Sequence, residues 1–170
     1  MDKKLIELLE RIASDKELAA AFADSLRTGK HLNITGLCAE QKVYVAMALA
    51  RLNSRKAVFI EPDSARARVT ASYCAAFTDG SIPVLMPSEL SLVSAEASSR
   101  ELELNRCAAL SELVTGGFGA AVITAGALLN KLEPGDVFAK RIIKLKVGAE
   151  MERDELVASL LLNGYENVPQ

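Results

Sequence analysis

Hydrophobic residues along this chain recur with two different periods, and the switches between them predict alternating helices and strands. Leu5, Leu8, Leu9 and Ile12 stand at i, i+3, i+4 and i+7, which is one face of a helix. Ser14, Asp15, Lys16 and Glu17 read as a capping box, the serine oxygen taking an orphan backbone N–H and the glutamate reaching back. A second helix therefore starts there and runs to about Arg27, with Gly29 as its C-cap. Residues 31–35 read as a short strand leading to Gly36, and Ala39–Leu52, rich in Ala, Val, Met and Leu, as a helix. Ala57–Glu61 is a short apolar run of the buried-strand type, stopped by Pro62. Ser64 can cap a helix to about Phe77, and residues 83–86 form a third strand closed by Pro87. Strands alternating with helices imply an α/β protein with a parallel sheet and helices on its faces.

The texture changes after Pro87. Residues 88–99 are rich in Ser, Glu and Ala and read as a connector that becomes helical. Residues 101–113 form a clearer helix, 116–119 a glycine-rich turn, and Ala120–Thr124 a strand. A short helix over 125–132 ends before Pro134. Residues 141–147 alternate partly in polarity, as in a strand with one wet face, and residues 153–163 form a last helix with Gly164 as its C-cap. The expected division is a nucleotide-fold half over residues 1–88, then a smaller α/β lobe over 89–170, with the strands near 32, 58 and 84 in the first and those near 122 and 144 in the second.

Composition narrows the function. Of the 170 residues half are hydrophobic, enough for a real core, and the net charge is -2, so no basic excess points to nucleic acid as the main ligand. Cys38, Cys74 and Cys107 are odd in number and far apart, with no CxxC pair, and His31 is the single histidine. That pattern speaks against a zinc site or a disulfide framework, so no metal is expected. Three thiols fit a reducing cytoplasm. The charged, amphipathic N-terminus lacks a signal-peptide core, and no apolar run approaches the roughly 20 residues of a membrane span. The expectation is a cytoplasmic protein with no membrane partner.

The segment 33–43 lies between a predicted strand and a helix, where a phosphate-binding loop belongs. Against the pattern G-x-x-x-x-G-K-[ST], Gly36 and Lys42 keep their spacing, Gln41 replaces the second glycine, and Val43 replaces the hydroxyl residue. A side chain at the glycine position resists the backbone's approach to phosphates. Valine cannot ligate Mg²⁺ as the hydroxyl does, and Glu40 adds negative charge where phosphates would sit. The segment reads as the relic of a phosphate loop that keeps its shape without its chemistry, with no cofactor expected. Its plainer reading is a structural turn with a solvated Lys42. No GxSxG motif or nucleophile–base pair suggests catalysis.

Several segments taken in order resemble one family. They are the paired N-terminal helices, Ile34-Thr35-Gly36-Leu37 with its degenerate loop, Phe59-Ile60-Glu61-Pro62-Asp63, and Val84-Leu85-Met86-Pro87 followed by Glu89. Arg106 with Leu110 and Leu113 comes next, then residues 122–132 and Leu145-Lys146-Val147-Gly148. Arg153-Asp154-Glu155-Leu156, Leu160 and Gly164-Tyr165-Glu166-Asn167-Val168 close the series. This order resembles the UvrB-homologous N-terminal module of bacterial transcription-repair coupling factors, over nearly the whole chain. The family pattern continues past Val168, so the resemblance implies a fragment. It implies a degenerate P-loop, helicase-like parallel-sheet half (UvrB domain 1a-like) and a smaller α/β lobe (domain 2-like). It also implies a non-catalytic module that recruits UvrA to RNA polymerase stalled at DNA damage. In the parent protein, other domains contact RNA polymerase and DNA and carry an ATP-dependent translocase.

By position, Lys131 and Phe138 match the basic and aromatic places of that family's UvrA-binding surface, while Phe118 stands where relatives can have arginine. A cation beside an exposed ring suits an interface: the ring supplies desolvated area and the cation selects acidic partners. The plainer reading makes Phe138 core and Lys131 solvated. Lys140, Arg141, Lys144 and Lys146 render the same region basic, or simply form a wet strand face. The alternative function is the nucleotide-binding half of a helicase-like ATPase. A weaker one is direct DNA binding through the basic region, against which the net charge counts.

Overall fold

The structure is a computed structural model and describes residues 3–87, 100–148, 150–166 and 168. It is an α/β protein, and it divides into two compact units, Met1–Asn130 and Lys131–Gln170. The first contains α1 (Lys3–Ala13), α2 (Lys16–Thr28), α3 (Ala39–Leu52), β1 (Ala57–Glu61), α4 (Ser64–Ala75), β2 (Val84–Leu85), α5 (Arg100–Thr115), β3 (Ala120–Thr124) and α6 (Ala125–Leu128). The second contains α7 (Gly135–Arg141) and α8 (Arg153–Leu162).

The three strands form one parallel sheet in the order β1-β3-β2, with Ala57 opposite Ala120, Val84 opposite Val122, and Leu85 opposite Ile123. Side chains alternate between the faces of a strand, so Ala57, Phe59 and Ala120 point to one side and Leu85 and Ile123 to the other. On the first side they join Val43, Met47 and Ala48 of α3, Cys74 of α4, Phe77, and Leu9 of α1. Tyr44 meets Phe77 edge-on there, ring centroids 4.8 Å apart. On the second side Leu85 packs with Ala109, Leu110 and Leu113 of α5 and Ala127 of α6. Central β3 is therefore covered on both faces, and Ala120, Ala121 and Val122 are wholly buried. Alanines at these points let helix and sheet backbones approach closely. At the β1 edge α5 no longer covers the second face, so Val58 and Ile60 are exposed.

Local chemistry sets the ends of the elements. Asp15, and not Ser14, caps α2: its carboxylate accepts from the N–H groups of Glu17 and Leu18, while the Ser14 hydroxyl turns back to the Glu10 carbonyl. Asp63, and not Ser64, caps α4 by accepting from the Arg66 N–H. Gly29 ends α2 in the left-handed conformation, as its position predicts.

Three expectations differ from the structure. Residues 31–35 form no strand; Leu32 and Ile34 instead line an apolar hollow with Phe22 of α2 and Val45 and Leu49 of α3, which satisfies their alternation without a sheet. The strand at 120–124, assigned to a second lobe, is the centre of the first unit's sheet, so the compact units part after Asn130 and not after residue 88. Only pairing decides which sheet a buried apolar run joins. Residues 142–146 follow directly on α7, and among the described residues no strand pairs with them. The connector expected over 88–99 lies outside the described residues.

Candidate functional site: the start of α3 and the second unit

The loop 30–38 enters α3 through Gly36, whose φ of 80° is a left-handed value that side chains resist. Cys38 is the N-cap, and its backbone N–H donates to Gln41 Oε1 at 3.0 Å. The residue that replaces a phosphate loop's second glycine is thus itself the hydrogen-bonding partner at this helix start. The Cys38 thiol donates to Glu40 Oε2 at 3.2 Å, and the Tyr73 hydroxyl, on α4, donates to Glu40 Oε1 at 2.9 Å. The Cys38 bond and then the Tyr73 bond hold the Glu40 carboxyl below its ordinary value, so it is an anion at neutral pH. The bond to Glu40 in turn raises the Tyr73 phenol. A fixed carboxylate stands at the helix terminus where a phosphate would otherwise be favoured.

Lys42 and Val43 part company within one turn. Val43 is buried in the core, and Lys42 is exposed at the rim of the hollow of about 200 Å³ that Leu32, Ile34 and Leu37 line. Gly36, Gln41, Lys42 and Val43 therefore share one loop-and-helix start but do not converge on a single cavity.

The second unit carries Lys131 and Phe138. Lys131 is exposed. Phe138 lies within α7 and is partly buried. Asp136 in its first turn and Lys140 and Arg141 in its last complement the helix dipole, the signal by which α7 could have been found. Arg141 pairs with Glu133 at 3.1 Å, and Asn163 Nδ2, beyond α8, donates to the Arg141 carbonyl at 3.2 Å. Lys140, Lys144 and Lys146 are exposed. Phe118 belongs to the first unit, and the Lys56 ammonium covers its ring at 4.4 Å from the centroid.

A groove of about 400 Å³, with no signal in the residue pattern, crosses the β2 edge of the first unit between Arg68 of α4 and Arg106 of α5. The Arg106 guanidinium donates to the Met86 carbonyl, and the Ser81 hydroxyl donates to Glu112 at 2.8 Å. Among the described residues no three His, Cys, Asp or Glu side chains converge as metal ligands, and no helix is long and apolar enough to cross a membrane. No family model, curated protein or solved structure matches the chain.

Proposed function

We propose that this chain is a non-catalytic protein-interaction module of a transcription-repair coupling factor, and that it recruits UvrA to RNA polymerase stalled at DNA damage. The sheet and the start of α3 are read as the relic of a degenerate P-loop, helicase-like half, UvrB domain 1a-like. The residues beyond it are read as a domain 2-like, UvrA-binding lobe that presents Lys131 and Phe138. Contacts with RNA polymerase and DNA, and ATP-driven translocation, belong in this reading to other domains of the parent.

One observation carries the non-catalytic half of the proposal. The first turn of α3 is occupied by its own side chains: Gln41 accepts the Cys38 N–H, and Glu40 is fixed as an anion by Cys38 and Tyr73. An incoming phosphate would face a carboxylate and would have to displace an internal cap. Lys131, Lys140, Lys144 and Lys146 are all exposed in the same unit, which supports an acidic protein partner. The second reading, the nucleotide-binding half of a helicase-like ATPase, is favoured by the retained Gly36–Lys42 spacing and the exposed Lys42. Pull-down of purified UvrA on the immobilised chain tests the proposal. Retention of UvrA is expected, and its absence alongside saturable Mg-ATP binding would transfer the assignment to the second reading.

A further inference from the structure

β2 is an edge strand, paired with β3 on one side and with no described strand on the other. α4 and α5 pack on opposite faces of the sheet, and the groove of about 400 Å³ lies between their flanks at that open edge. In a parallel ladder successive residues turn their backbone groups alternately to one side and the other. The Pro83 carbonyl accepts from the Val122 N–H, and the Leu85 carbonyl from the Thr124 hydroxyl, so both residues address β3. Val84 between them therefore turns its N–H and carbonyl to the open edge, where it lines the groove. Ile82, Met86 and Leu102 give the groove apolar walls.

The charges around it are unbalanced. Glu112 is the one carboxylate among the described residues that line the groove, and the Ser81 hydroxyl already donates to it at 2.8 Å. Arg106, half-buried on α5, is held by its bond to the Met86 carbonyl, which uses one of the five guanidinium donors. Arg68, exposed on α4, has no carboxylate within ion-pair distance among the described residues, whereas its neighbour Arg66 pairs with Asp63. A cation on each wall over an apolar floor suits an anion with an apolar body. The edge itself argues against a protein strand as that anion. β2 has two residues, with Pro83 before them and Pro87 after, which is too short to seat an added strand.

We propose that this groove is a binding site for a small carboxylic acid with an apolar alkyl or aryl body. The body lies against Ile82, Met86 and Leu102, and burial of its surface supplies affinity. The carboxylate takes guanidinium donors of Arg106 that the Met86 carbonyl leaves over, and Arg68 adds positive charge from the opposite wall. The tether to Met86 fixes Arg106 before the ligand arrives, so less freedom is lost on binding. The Val84 N–H at the open edge is a further donor to the ligand. The site lies in the first unit, away from Lys131 and Phe138, and does not rest on the UvrA assignment.

The test titrates naphthoate, and its uncharged analogue naphthamide, into the full chain and follows the amide NMR spectrum. Naphthoate should shift the amides of Val84, Asn105 and Arg106 saturably, and naphthamide should bind about tenfold more weakly, the worth of a charge-assisted hydrogen bond. Arg68→Glu reverses the charge at an exposed position and should abolish the preference for naphthoate with Tm unchanged. Arg106→Lys keeps the charge but loses the planar fork, and it should weaken naphthoate about tenfold while naphthamide is unaffected. Equal affinity for the two compounds, or an Arg68→Glu protein that binds naphthoate as the parent does, would overturn the proposal. Shifts confined to Leu32, Ile34 and Lys42 would do the same, because they place the compound in the hollow beside α3. Contacts to Met86 and Leu102 from residues 88–99, or from a second copy of the chain, that persist at saturating naphthoate would also overturn it, since the groove would then be filled by protein.

Discussion

Tyr73 on α4 donates its hydroxyl to Glu40 in the first turn of α3, 2.9 Å away and thirty-three positions earlier in the chain. The bond ties two helices on the same face of the sheet, and it fixes a negative charge at a helix start that could otherwise receive an anion. Tyr73→Phe should lower the urea midpoint at neutral pH and move the Glu40 carboxyl up toward its ordinary value of 4.5. Because the folded value is depressed, the contribution to stability is present above 4.5 and is lost as pH falls through the folded value. Wild type and variant should converge in acid. Parallel denaturation curves at neutral and acid pH check this, and a constant difference between them would show that Glu40 does not carry the effect.

Mg-ATP titrated into the chain should give neither saturable heat nor a rise in Tm at micromolar nucleotide. Gln41→Gly removes the internal cap but leaves the Glu40 carboxylate and Val43 in place, so this variant also should not bind. It should lose about 0.5–2 kcal/mol of stability through the lost cap and the added glycine. Micromolar ATP binding by either protein would argue for the nucleotide-fold alternative.

The three thiols should separate by burial. Cys38 and Cys107 are exposed and Cys74 is wholly buried, and burial pushes its thiol up to about 11 from an ordinary 9.0. Iodoacetamide at pH 8 should label the first two in the native protein and Cys74 only after unfolding, as peptide mass spectrometry would report. A raised folded value means the stabilisation is full below pH 9 and lost as pH climbs toward 11. The Tm of Cys74→Ala should accordingly fall less steeply over that interval than that of the parent.

Thr124 closes β3 and opens α6. Its hydroxyl donates to the Leu85 carbonyl of β2 at 3.2 Å and accepts from the Ala127 N–H at 3.3 Å, all of it buried. Thr124→Val keeps the shape and strands both partners, so it should cost about 1–3 kcal/mol in urea denaturation. Leu85→Ala should cost about 2–5 kcal/mol, because Leu85 is 2% exposed against Ala109 and Ala127.

Lys131→Glu should weaken UvrA retention and leave the far-ultraviolet circular dichroism unchanged, because Lys131 is exposed. Phe138→Ala should weaken retention as well, but Phe138 is partly buried on α7, so its binding must be compared at equal folded fraction. Folded variants of both that retain UvrA as the parent does would place the contact elsewhere. Charge changes at Lys140 should act mainly on the association rate and its salt dependence.

Local patterning by itself determined the elements whose signals are short-range. The helix Ala39–Leu52, the strands Ala57–Glu61 and Ala120–Thr124, and the Gly29 terminus follow from runs of apolar residues and from glycine's tolerance of left-handed backbone. The α/β class follows from their alternation. The departures at Gln41 and Val43 were also legible, because loop chemistry depends on residue type. Which strand pairs with which was not, since an apolar run carries no address. β3 joins β1 and β2 because a sheet buried on both faces accepts it, and that set the unit boundary after Asn130. Strand-like sequence met three fates: in β1 it pairs, at Leu32 and Ile34 it lines a hollow beside α2 and α3, and at 142–146 no described strand pairs with it. Only tertiary structure could separate these, because alternation states which side of a chain is apolar and says nothing of what will cover it.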